Sequence, residues 1–108
     1  MNELRRKLTD ELLKIPGVIE IIPPHRDDGF SSFAYKNKDF AHFHSNNDNE
    51  IDVRLGKQII KAHKVSRPTD SEVHPDRAAG SPWIELRYHN QKDVAEVVRL
   101  IKLALAEM

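Results

Sequence analysis

A chain of 108 residues, 39% hydrophobic and 31% charged, has the size and composition of one globular domain spanning residues 1–108. Lysine plus arginine number 17 and aspartate plus glutamate 17, so the formal charge is zero, without the basic excess on which nonspecific nucleic-acid binding relies. The absence of cysteine excludes disulfides, thiolate zinc ligands and cysteine nucleophiles together.

The first predicted element is a helix, with Leu4, Leu8, Leu12 and Ile15 recurring every three or four residues, Asn2 as N-cap and Pro16-Gly17 as its end. Its stretch from Met1 to Lys14 is charged and lacks the continuous apolar core of a signal peptide. No run approaches the roughly 18 apolar residues that span a bilayer, so a soluble cytoplasmic protein with no membrane partner is the expectation.

Val18 to Ile22 reads as a short strand stopped by Pro23-Pro24, and His25 to Gly29 as a polar loop. Phe30 to Tyr35 and Asp39 to His44 form a hairpin around Lys36-Asn37-Lys38, where asparagine tolerates a positive φ. A second turn over Ser45 to Asn49 leads into the strand Glu50 to Leu55, broken by Gly56. Lys57 to Lys64 is a short helix burying Ile59, Ile60 and Val65. Ser66 to Pro82 is a long irregular segment, of the kind that is usually mobile or functional. Trp83 to Tyr88 is the last strand, and Asn90 with Asp93 opens a final helix whose stripe is Val94, Val97, Val98, Ile101, Ala104 and Leu105.

The expected fold is therefore α+β, a two-layer sandwich: a mostly antiparallel sheet of about five strands with helices on one face. Alternation in the strands leaves a second face, assigned here Phe40, His42, His44, Asp52, Arg54, Trp83, Glu85 and Arg87. That face is expected to be solvated. On it two imidazoles, a carboxylate and a guanidinium meet if the strands around the Ser45-to-Asn49 turn pair.

Three chemistries suit these residues. His42 and His44, two apart on a strand, can face one cation, with Asp52 as a carboxylate ligand and His74 of the long loop as a third imidazole; such a set suits zinc or iron. Alternatively the face binds a small polar or anionic ligand or a protein partner, with Arg54 and Arg87 taking a carboxylate or phosphate and Trp83 offering a flat wall. The plainest reading makes them ordinary polar residues paired across strands, worth roughly 0.2–1 kcal/mol each. In that reading Trp83 packs under the long loop. His25, His63 and His89 are expected to be solvated. The sequence has neither a glycine-rich phosphate loop nor a Gly-x-Ser-x-Gly elbow.

The chain resembles a known family, the luciferase-domain proteins of bacteria and fungi. The resemblance rests on Pro16-Gly17-Val18, Phe40-Ala41-His42-Phe43-His44, Ile51-Asp52-Val53, His74-Pro75 ahead of Ser81-Pro82-Trp83-Ile84, and Lys92-Asp93-Val94 opening a leucine-rich helix. Ala41, and Ser81-Pro82 before the tryptophan, stand where the family pattern has glycine. The resemblance implies retention of His42, His44 and His74 but no established activity for a stand-alone domain, and light emission is not implied. The layout is also similar to the double-wing α/β proteins of the MmcQ and YjbR group, for which DNA binding has been suggested; the neutral charge argues against carrying that over.

Overall fold

A computed structural model describes residues 3–45, 49–66 and 80–108. Five strands, β1 (Val18–Ile21), β2 (Ser31–Tyr35), β3 (Lys38–Phe43), β4 (Glu50–Arg54) and β5 (Trp83–Arg87), lie side by side in chain order. Every neighbouring pair is antiparallel. Helices α1 (Glu3–Leu13) and α3 (Gln91–Ala106) pack together against one side, and the short α2 (Lys57–Ala62) connects β4 to β5. This is the α+β arrangement expected from the alternation. Among the described residues no helix is long and apolar enough to cross a membrane.

Local chemistry accounts for the element ends. Gly17 has φ +87°, a left-handed conformation that glycine adopts without strain, and a Cβ there would meet the Tyr35 ring at 3.2 Å. The β2–β3 hairpin closes on only two residues, Lys36 and Asn37, with Tyr35 paired to Lys38. Both central residues have positive φ, 51° and 65°, as the twist-matched type I′ turn requires. Asn90 caps α3 by accepting from the Asp93 backbone N–H at 2.8 Å, while the Asp93 carboxylate accepts from the His89 N–H at 2.9 Å.

The core lies between the sheet and the two long helices. Leu8 and Leu12 of α1 and Val94, Val97, Val98, Ile101 and Leu105 of α3 join Phe33, Phe43, Ile51, Val53, Ile84, Leu86 and Tyr88 of the sheet side. Helix α2 departs from expectation: it ends at Ala62, and Ile59, Ile60 and the following Val65 are only partly buried at the margin of that core.

Phe40 also departs from expectation. Strict alternation assigned it to the second face, but it is buried in the core, 6.3 Å from the Phe33 ring. Pairing jumps from Phe33↔Ala41 to Ala34↔Asp39, so Phe40 is the extra residue of a β-bulge. A bulge lets two successive side chains share a side, and here it sends Phe40 and Ala41 inward together. Beyond the bulge, Asp39 returns to the side of His42, with its Oδ2 3.7 Å from His42 Nε2.

Candidate metal centre

Strand register assembles the second face. Ser32, His42, Asp52 and Glu85 occupy opposing positions on β2, β3, β4 and β5, forming one row across the sheet. His44 follows two residues after His42 on the same side, and its Nε2 stands 3.6 Å from Asp52 Oδ2. One potential ligand atom from each of His42, His44 and Asp52 lies within 4.8 Å of the other two. Nitrogens and oxygens sharing a tetrahedral zinc ion stand about 3.4 Å apart, so modest side-chain rotation would bring the three onto one cation.

The face is drier than expected. Asp52 and Glu85 are each 3% exposed and Glu50 is 8% exposed, whereas solvation was anticipated for this side. The imidazoles are only partly open, with side chains 22% and 28% exposed for His42 and His44. Carboxylates removed from water are costly unless cations or hydrogen bonds compensate them.

An aromatic stack organises the imidazoles. Trp83 lies almost parallel to His42, centroids 5.1 Å apart and planes 15° from parallel. Phe30 covers the ring as well at 5.8 Å and 28°, and stands edge-on to His44 at 5.8 Å. Arg26 lies over the Phe30 ring at 4.1 Å, held by a two-pronged pair with Asp28 at 2.7 and 3.3 Å. Those bonds, with another from the Phe30 backbone N–H, lower the Asp28 carboxyl from its usual 3.8 to about 2.

The remaining sequence-derived candidates take different positions relative to this centre. Arg54 ends β4 on the same face, opposite Trp83, and its side chain is exposed. Arg87 lies opposite Glu50, at the other end of the β4–β5 pair. His74, proposed as a third imidazole, falls outside the described residues. His25, His63 and His89 are exposed, as expected. Ser81-Pro82 leads into Trp83 through two anchors: the Trp83 N–H donates to Ser81 Oγ at 3.1 Å, and the Pro82 carbonyl accepts from the Gly56 N–H at 3.0 Å.

Arg5, Phe30 and Asp39 belong to this neighbourhood and were missed by sequence reasoning. Arg5 of α1 is 4% exposed and caps the Phe43 ring at 4.2 Å. Its guanidinium donates to the carbonyls of Gly29 at 2.6 Å and Ser45 at 3.1 Å. Those two residues directly precede Phe30 and follow His44, so one buried cation pins both chain segments that frame the imidazoles. The signal was present: Arg5 sits three before Leu8 and seven before Leu12, within the apolar stripe. Phe30 would have followed from the hairpin register, and Asp39 only from the bulge.

The sequence matches the family described as the Luciferase domain over residues 37–104, well over half of the chain. The chain belongs to the luciferase-domain family. The matched span holds His42, His44, Asp52 and Trp83; the Pro16-Gly17 turn precedes it. No curated protein and no solved structure matches the chain.

Proposed function

We propose that this domain binds one divalent transition-metal ion, zinc or iron, through His42, His44 and Asp52, and takes a small polar or anionic ligand at the open coordination positions. The observation that carries the reading is the convergence of two imidazoles and a buried carboxylate within 4.8 Å. Two histidines and one carboxylate make a donor set suited to zinc or non-haem iron, and three protein ligands leave room for water or substrate. Exposed Arg54, two residues beyond Asp52 on the same face, would meet the charge of a carboxylate or phosphate arriving there.

The test is competitive titration of chelator-stripped protein with zinc and ferrous iron, alongside thermal melts. Specific binding should raise the melting temperature, by about 2.7 kcal/mol of added stability at a hundredfold excess over Kd. His42→Ala and Asp52→Asn should each abolish it. If the unaltered chain neither takes up metal nor shifts its melt, the reading is wrong. A second reading keeps the anionic ligand without the metal, favoured by the exposed Arg54 beside Trp83. Phosphate or carboxylate would then raise the melt in chelator, and Arg54→Ala would remove the rise.

A further inference from the structure

His42 is stacked with two other rings, Phe30 at 5.8 Å and Trp83 at 5.1 Å. Ring torsions of histidine are ordinarily broad. Two rings stacked against it, at 15° and 28° from parallel, restrict the planes that His42 can take. His44 stands edge-on to His42, 5.9 Å away at 79°, which turns the two ring planes across one another rather than side by side.

This arrangement affects a loaded and an empty site differently. An imidazole that has given its lone pair to a cation is electron-poor, and an electron-poor ring is drawn to the negative face of an indole. The Trp83–His42 contact should therefore be stronger with metal than without, and a difference between two states appears as affinity rather than stability. Part of the orientational freedom that His42 would otherwise lose on binding is also already restricted.

Resting on the metal-centre reading, we propose that Trp83 is a positioning residue: together with Phe30, its indole restricts the plane of His42 and raises the affinity for a divalent cation. It touches the metal at no point and acts through His42. Trp83 is the chain's only tryptophan, so it also reports on its own task.

The experiment uses the full chain, stripped by chelator, with zinc or cobalt alone as probe. In unaltered protein, cobalt should quench the Trp83 fluorescence as it fills the site. Trp83→Leu should weaken zinc binding about 10–100-fold, the range typical of lost ligand-orienting contacts. Trp83→Phe, which keeps a stacking ring, should recover most of that loss and restore the cobalt absorption bands that Trp83→Leu alters. Phe30→Leu removes the other stacked ring and gives an independent reading should Trp83→Leu fail to fold. Folded Trp83→Leu and Phe30→Leu proteins that bind zinc as tightly as the parent, merely melting lower, would overturn the proposal and leave the metal centre standing. A parent protein that binds neither zinc nor cobalt overturns the metal centre itself, and this inference with it.

Discussion

The two faces of the sheet each bury residues at their centre and are chemically opposite. Toward the helices stand Phe33, Phe43, Ile51, Val53 and Ile84, all fully buried and all apolar. On the other side Asp52 and Glu85 are buried nearly as well, among imidazoles and arginines. Apolar burial stabilises at about 25 cal/mol per Å², whereas buried polar and charged groups are weak evidence for stability. A fold retaining the second arrangement gains little stability from it. The first face therefore explains why the chain folds, and the second why these particular polar residues sit together.

Substitutions can break that division, the largest effect coming from the apolar side. Phe33 contacts Phe40 and Phe43 at 6.3 and 5.7 Å, so Phe33→Ala should lower unfolding free energy by about 3–5 kcal/mol in urea titrations. Zinc affinity of the remaining folded protein should be little changed. Arg5→Ala comes next, at about 2–3 kcal/mol, because charged hydrogen bonds to two carbonyls are lost. Arg5→Lys should recover little, since an ammonium lacks the fork that reaches both Gly29 and Ser45. If Arg5 also holds the frame of the second face, its loss should weaken zinc binding where Phe33→Ala does not.

On the polar side, stability and binding should separate. His44→Ala removes a partly exposed ring and should change the metal-free stability by only about 1 kcal/mol, while eliminating the zinc-induced rise in melting temperature. An equal loss in the presence and absence of zinc would erase the distinction between the faces. The smallest effect concerns the Asp28–Arg26 pair beneath the stack. Its carboxyl titrates at about 2 in the folded chain, below its ordinary 3.8, so the contribution is present above about pH 4 and is lost as pH falls toward 2. Carboxyl carbon NMR should show the Asp28 midpoint near that low value, returning toward about 3.9 in Arg26→Ala.

Much of the candidate centre was legible because β4 and β5 alternate without interruption. Ile51, Val53, Ile84 and Leu86 declare one side; Asp52 and Glu85 must then share the other. The pairing of His42 with Asp52 followed from how few residues separate β3 from β4 in the sequence. Phe40 was misplaced because alternation holds only while register holds, and one extra residue in β3 reverses it. Arg5 escaped because a cation within an apolar stripe acquires its meaning from distant partners, here Gly29 and Ser45, that no local pattern connects to it.

The sequence by itself determined the strands and the cap of the last helix, and with them the class of the fold, because these depend on side-chain period and on backbone preferences of single residues. Tertiary structure alone decided how dry the polar face is, where the bulge falls, and which rings stack on His42. Those outcomes depend on register summed across five strands and on partners tens of residues apart, which is where packing, rather than local preference, sets the energy.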